Sequence, residues 1–378
     1  MPDHEGVVTR VGGMVGRAYA TGAARLRREL KAHAASAAAG QAAGTAPHLA
    51  WLADARWETL VTNSRAAVAL TPWVGGEGWA VIKVATDGAS SRDLVTEAQR
   101  IDQMRAEASL EPWWDFLPRV VAQRAGARGS FTLVASPSRL TALAALNAPG
   151  GSPDALLDGA LEAMATLRRL SSRVVGIDDD LIRRTVAEPF ELVGRSWPEM
   201  PHARADLAAL ERVSAALARG LSRRSAVVGW THGDYWLDNV LVDPRSSRVV
   251  GVIDWGGSSP HGLVGTDPTL AVLAELGRRT GGDVSAAVAR LVAVAAGGFS
   301  ATEERSMADR LVEAWPPSQG LTWLQGVMLT WAAHAAHLVT KRSRSPLAPG
   351  HWVHRRFTPV VRALADEDLS LFEAPARP

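Results

Sequence analysis

The 378-residue chain contains no cysteine and only three lysines, Lys31, Lys83 and Lys341. The first absence excludes disulfides, thiol catalysis and thiolate metal sites, and fits a reducing compartment. The second means that positive charge is carried almost entirely by arginine, so a lysine in an unusual place needs its own reason. Charged residues make up only 21% against 47% hydrophobic, a balance that allows a sizeable core and excludes a disordered chain. The net charge is +2 with no block of like charge, so nothing marks a nucleic-acid partner. No window has the apolar length of a membrane span. Met1 to Gly44 lacks the continuous apolar segment of a secretory signal. The expectations are a cytoplasmic protein, monomer or homodimer, without nucleic-acid or membrane partners. Its length suggests about two domains.

The most informative stretch runs from Trp230 to Leu273. A small apolar run, Ala226 to Trp230, enters His232-Gly233-Asp234. Asn239 follows beyond a short loop and leads into the strand-like Val240-Leu241-Val242. Asp243-Pro244-Arg245-Ser246-Ser247 has turn chemistry, and the next strand, Val249 to Ile253, ends in Asp254. A hairpin of this form brings Asn239 and Asp254 to one end, with Asp234 just upstream. Two carboxylates and an amide oxygen make a hard-oxygen site of the kind that holds Mg2+ together with substrate phosphates. Phosphoryl transfer to a hydroxyl asks for these parts: Asp234 as the base that orients the hydroxyl, Asn239 and Asp254 as metal ligands.

His232-Gly233-Asp234, Asn239 and Ile253-Asp254-Trp255 resemble the catalytic loop and metal-binding strand of the aminoglycoside phosphotransferase and choline kinase-like family. The resemblance implies an α+β, protein-kinase-like two-lobed fold: a small antiparallel-sheet N-lobe with one helix and a larger, mainly helical C-lobe. It also implies ATP-dependent O-phosphorylation of a small molecule. His232 would then support the catalytic loop. Asp267 falls close to where the family has an Asp that fixes that loop, although Asp267-Pro268-Thr269 departs from the usual Asp-Leu-Ala. Helix N-capping is an equal reading. Asp238 either touches the acceptor, biases the metal site or faces solvent.

Upstream, residues 1–50 read as a helical N-terminal extension, 51–137 as the nucleotide-binding N-lobe and 138–378 as the helical C-lobe with catalytic loop and acceptor pocket. Val8 to Ala39, rich in Ala, Leu and Arg, is expected to be a loosely packed helix broken at Gly40, Gly44 and Pro47. Trp57 to Val84 reads as three strands. The Gly75-Gly76-Glu77-Gly78 turn sits directly before the lysine strand and suits a tight hairpin. The loop over the nucleotide phosphates is therefore assigned to Asn63, Ser64 and Arg65, between the first two strands.

Lys83 lies inside the apolar strand Val81-Ile82-Lys83-Val84, where an ammonium is costly unless paired. A compact point charge suits phosphate oxygens in a tight cleft. A helix capped by Ser90 or Ser91 follows, with Leu94, Ala98, Ile101 and Met104 at helical spacing and Glu97 beside them. Following a lysine strand, Glu97 matches the lysine-glutamate pair of kinase-like sites. Pro118 to Gln123 and Ser130 to Ala135 complete the sheet, and Ser136-Pro137-Ser138 is the expected adenine-reading hinge. After Asp254, Gly256 to Pro260 reads as flexible.

The carboxyl-terminal helices, expected to complete the acceptor pocket, hold Trp315, Trp323, Trp331, His334, His337, His351, Trp352 and His354. His334 and His337 stand at helical spacing; polar lining or core histidines are favoured over a metal pair. Balanced charge and abundant tryptophan lean toward a neutral or anionic acceptor. The functional expectation is an ATP- or GTP-dependent, Mg2+-dependent O-phosphotransferase acting on a sugar, glycoside or nucleoside-like natural product, in resistance, self-protection or biosynthesis. An aminoglycoside acceptor is the second reading. A nucleotide-binding pseudokinase or scaffold is the reading of another class, and the presence of Lys83, Asp234, Asn239 and Asp254 stands against it.

Overall fold

The computed structural model describes residues 29–373 apart from residues 61–65, 75–76, 127–129, 149–151, 199–202, 298–301, 317–319, 344–350 and 366–368. The chain divides into two compact units. The first takes the described residues up to Ala106, with Asp115–Arg139 and Val250–Val252; the second takes Glu107–Trp114, Leu140–Val249 and the chain from Ile253.

The first unit opens with a helix, α1 (residues 29–43), that runs through Gly40. Ala35, Ala38, Ala39 and Ala42 share one face of it at i, i+3, i+4 and i+7. They pack on Ala67, Ala69, Ala80, Ile82, Val84, Phe131 and Leu133. In its described part, residues 29–43, the expected loose extension is therefore corrected to a core element. An all-alanine stripe is a weak amphipathic signal, yet its small side chains let a helix lie close on a sheet. A glycine inside the helix costs only about 1 kcal/mol relative to alanine.

The sheet is antiparallel, with strands β1 (Glu58–Leu60), β2 (Ala66–Pro72), β3 (Trp79–Ala85), β4 (Arg119–Arg124) and β5 (Phe131–Ser136) in the order β1-β2-β3-β5-β4. Register pairs β2 with β3 antiparallel as far as Pro72 with Trp79, so consecutive strands form a hairpin; Gly75 and Gly76 lie outside the described residues. Side chains alternate along β3: Ala80, Ile82 and Val84 join the α1 core, while Lys83 points to the other face. There lies α2 (Gly88–Ala106), with Leu94, Glu97, Ala98, Ile101 and Met104 buried. The helix starts two residues earlier than Ser90. Asp87 Oδ1 accepts the Ser90 N–H at 2.7 Å, and Ser90 Oγ accepts the Asp87 N–H at 3.0 Å. This reciprocal arrangement makes Asp87 the cap and Ser90 its partner three residues on. Asn63, Ser64 and Arg65 lie outside the described residues.

The second unit is mainly helical. Along the chain it holds α3 (Ala142–Leu146), α4 (Pro153–Ser171), β6 (Arg173–Gly176), α5 (Asp179–Ile182), α6 (Glu188–Arg195) and α7 (Ala203–Leu221). Strands β7 (Ser225–Thr231), β8 (Val240–Val242), β9 (Val249–Val252, of which only Val249 is counted to this unit) and β10 (Ser259–Leu263) follow. Then come α8 (Thr266–Arg279), α9 (Val284–Gly297), α10 (Thr302–Ala314), α11 (Trp323–Ser343) and α12 (His351–Ala365).

Strands β10, β7 and β6 form one antiparallel sheet, which corrects the expected flexible run after Asp254. Ser259 pairs with Thr231 across an irregular step before Gly262, and an edge strand tolerates Pro260 because one side of its ladder needs no donor. The hairpin of β8 and β9 is closed at its turn by Asp243 N–H to Arg248 C=O at 2.8 Å. At its open end Ile253 N–H donates to Asn239 C=O at 2.9 Å. Among the described residues no helix is long and apolar enough to cross a membrane.

Candidate active site

In the first unit, the alternation of β3 and the buried stripe of α2 bring Lys83 and Glu97 face to face. Lys83 Nζ donates to both carboxylate oxygens, at 2.8 and 3.0 Å, and both side chains are only 11% exposed. The pairing answers the cost of burying an ammonium in a strand. It also fixes the direction of a long, otherwise mobile side chain.

In the second unit the loop after β7 is held from several sides. Asp267, the second residue of α8, is 1% exposed. Its Oδ2 accepts the His232 N–H at 2.5 Å and its Oδ1 the Gly233 N–H at 2.9 Å. The N-cap position of α8 is Gly265, which provides no side-chain cap. Asp267 thus spends both oxygens on the loop. Burial pushes its carboxyl above the usual carboxylate range, against the downward pull of His232 and the two N–H groups.

His232 is fully buried. Its Nε2 lies 2.7 Å from the Ile253 carbonyl, which can only accept, so this nitrogen carries the proton. The other nitrogen, Nδ1, then accepts the Asp234 N–H at 3.3 Å. The ring thereby ties the Asp234 loop to the end of the hairpin. Tyr235 and Trp255 pack edge-on against it at 5.8 and 4.7 Å, Tyr235 donating to Ala160 C=O at 2.8 Å. Gly233 has φ +80, and a Cβ there would meet the Gly257 carbonyl oxygen at 2.3 Å. Glycine is required on both counts.

Asn239 Nδ2 donates to the Asp234 carbonyl at 2.8 Å, which commits the amide's donor end to the loop. Its oxygen takes no hydrogen bond among the described residues and is the end available to a cation. Asp254 is exposed and left-handed, with φ 66 and ψ 52. That conformation costs a non-glycine residue about 1–2 kcal/mol. It turns the chain sharply, so that Trp255 enters the core against Trp113 at 5.3 Å while the Asp254 carboxylate stays outside. Strain held at one carboxylate is an observation that points to function.

Among the described residues no three His, Asp or Glu side chains cluster as a metal cage. An amide oxygen and a carboxylate, both hard donors, fit Mg2+, which keeps waters and takes the rest of its shell from substrate phosphates. Asp238 is exposed and accepts from Thr141 Oγ1, the N-cap of α3, at 3.2 Å.

The structure thus gathers His232, Asp234 and Asn239 on one loop braced by Asp267 of α8, with Asp254 at the adjoining strand end, and joins Lys83 to Glu97 in the first unit. It also places a residue whose role the sequence left open. His337, on α11, has Nε2 at 3.9 Å from Asp234 Oδ2. The spacing of His334 and His337 says that they share a helix face, not what that face meets.

The tryptophans require a correction. Trp315 and Trp331 are buried, donating to Thr269 Oγ1 at 2.7 Å and Ser285 Oγ at 3.1 Å, so they are core and line no acceptor pocket. Trp236, two residues after Asp234, is 40% exposed. A separate surface cavity of about 480 Å³ includes Asp158, Arg168, Pro268 and Arg310 in its wall and shares no residue with the loop.

The sequence profile of the phosphotransferase enzyme family matches residues 7–290, three quarters of the chain. The chain belongs to this family, and its class is that of a phosphotransferase with a hydroxyl group as acceptor. No curated protein matches significantly. Among solved structures the chain is similar to an aminoglycoside-3'-phosphotransferase of type VIII, at 20% identity over 74% of this chain and 93% of that one with a TM-score of 0.45. It is also similar to APH(3'')-Id from Streptomyces rimosus in complex with ADP and streptomycin, at 17%, 74%, 93% and 0.40. A third is an ethanolamine kinase of Plasmodium vivax, at 10%, 84%, 86% and 0.45. At such identities and scores these neighbours say nothing about the acceptor of this chain.

Proposed function

We propose that the protein transfers the γ-phosphoryl group of ATP or GTP, with Mg2+, to a hydroxyl of a sugar, glycoside or nucleoside-like small molecule. The observation that carries this reading is the doubly anchored loop. Asp267 and His232 fix the backbone around Asp234, and Asn239 ties that loop to the hairpin end where Asp254 is held in a strained conformation.

Asp234 orients the acceptor hydroxyl and takes its proton as the hydroxyl oxygen bonds to the γ-phosphorus. The bond from that phosphorus to the bridging oxygen breaks, and the nucleoside diphosphate leaves with the electron pair. Asn239 and Asp254 would hold Mg2+, which when bound neutralises charge on the phosphates. Lys83, aimed by Glu97, contacts the nucleotide phosphates. Asn63 and Ser64, outside the described residues, are assigned to the same phosphates by sequence position alone, and backbone groups of Ser136 to Ser138 read the adenine edge. Such catalysis is positioning and electrostatics, for which a rigid loop is the central requirement.

The acceptor preference rests on the surroundings of Asp234. Asp283 is taken up by Arg356 at 3.2 Å, Asp267 spends both oxygens on backbone N–H groups, and His337 and His334 stand near Asp234. This suits a neutral acceptor better than a polycation.

The test is transfer from labelled ATP and GTP, with and without Mg2+, to a panel of free sugars, nucleoside antibiotics, macrolides and aminoglycosides, with Asp234→Asn as control. Mg2+-dependent transfer to a neutral hydroxyl compound that vanishes in the variant is the expected result. Transfer that persists in Asp234→Asn refutes the assignment, and transfer confined to aminoglycosides refutes the acceptor class.

A further inference from the structure

The cluster beside Asp234 has features that phosphoryl transfer itself does not account for. His334 and His337 lie three residues apart on α11, hence on one face. His337 Nε2 stands 3.9 Å from Asp234 Oδ2, with the two side chains 34% and 18% exposed. Both ring nitrogens of His334 are buried without a hydrogen-bond partner among the described residues. The charged or titratable groups in electrostatic reach of His334 are Asp234, Arg356, His337 and Asp283. Arg356 on α12 and Asp283 just before α9 pair with each other. Burial above all holds the His334 ring neutral, its pKa lowered to about 4, so it adds no positive charge beside His337.

An aspartate carboxylate rotates easily about its last torsion. A group that must offer one oxygen to a hydroxyl gains from a donor fixing the other. His337 is placed to be that donor. Its separation from Asp234, 3.9 Å, is longer than a hydrogen bond, as such contacts commonly are before substrate binds.

Resting on the phosphotransfer reading, we propose that His337 is a positioning residue for Asp234. With acceptor bound, its Nε2–H donates to Asp234 Oδ2, leaving Oδ1 to take the hydroxyl proton. His334, three residues away on the same helix with both ring nitrogens buried, one able to donate and one to accept, is the second member of this network.

Two measurements on the full chain test the proposal. The first follows ring-13C-labelled histidines through pH by NMR in wild type and Asp234→Asn, with the His337 signal identified by its loss in His337→Gln. A carboxylate about 4 Å away shifts the His337 midpoint, so its removal lowers that midpoint by about one unit or more. An unmoved His337 midpoint overturns the pairing, and this arm needs no acceptor.

The second measurement uses Mg·ATP and the compound turned over by wild type in the panel above. His337→Leu is expected to lose at least tenfold in kcat, with KM for ATP unchanged within twofold. His337→Gln, which keeps a donor, returns most of the loss. Wild-type kcat in the leucine variant overturns the proposal. If Asp234→Asn keeps full transfer activity, the phosphotransfer assignment fails, while the NMR arm still decides the pairing.

Discussion

Asp267→Asn separates the structural from the catalytic work of the buried carboxylate. The wild-type side chain accepts two N–H groups, from His232 at 2.5 Å and from Gly233 at 2.9 Å. An asparagine of the same shape accepts only one and turns its own NH2 toward the other. The lost bond leaves a buried N–H unsatisfied, at a cost of about 1–3 kcal/mol.

Against this stands relief of a buried charge. Burial raises the Asp267 pKa, so the native state binds a proton more tightly than the unfolded chain does. Wild-type stability therefore declines as pH rises from the ordinary carboxylate range through the raised value, and stays lower above it. The variant does not share that decline. The cost of the substitution should be larger near pH 4 than at pH 7, where it stays within about 3 kcal/mol. Activity has no such compensation. Displacing the Asp234 backbone by a fraction of an ångström to 1 Å costs up to about 100-fold in turnover. Urea unfolding at the two pH values, alongside phosphate transfer at pH 7, checks all three statements. Unchanged turnover, or a stability cost that grows with pH, would refute the reasoning.

Glu97→Gln strips a nearly buried ammonium of its charge partner, and losses of about 3–5 kcal/mol are typical when one member of a buried pair is removed. Urea unfolding reads that loss, and nucleotide titration should show weaker binding through a Lys83 no longer aimed. Gly233→Ala places a Cβ 2.3 Å from the Gly257 carbonyl oxygen at φ +80. Turnover is expected to fall below detection, with stability reduced by more than the roughly 1–2 kcal/mol of a left-handed alanine. A retained pKa of about 4 for His334 favours its neutral form in the native state. Stability should thus be lost as pH falls from about 6.5 towards 4, by about 3 kcal/mol at most at 1.36 kcal/mol per unit. His334→Phe should flatten that part of the profile in urea unfolding experiments across this range, and an unaltered profile would count against the assignment.

The sequence by itself determined the parts whose neighbours are close along the chain. The strand register that gives Lys83 its own face, the helical spacing that sets Glu97 beside a buried stripe, and the hairpin that ends in Asn239 and Asp254 all follow from periods of 2 and 3.6 and from turn chemistry. These are local geometries, and the structure follows them to within a few residues. Tertiary structure decided whatever depended on which face meets which partner. The alanine stripe of α1 carried too little hydrophobic contrast to announce a core helix, and only the sheet beneath it shows why small side chains were needed. Asp267 fits a helix cap or a loop anchor equally well in sequence. The fold chose the anchor by bringing the start of α8 against two N–H groups 34 and 35 residues away. Trp315 and Trp331 look the same in sequence as pocket-lining aromatics, and their burial with satisfied indole N–H groups makes them core. His337 is 103 positions from Asp234 in the numbering of the chain. No local pattern encodes such a meeting, because it arises from the packing of α11 and not from the conformation of either segment.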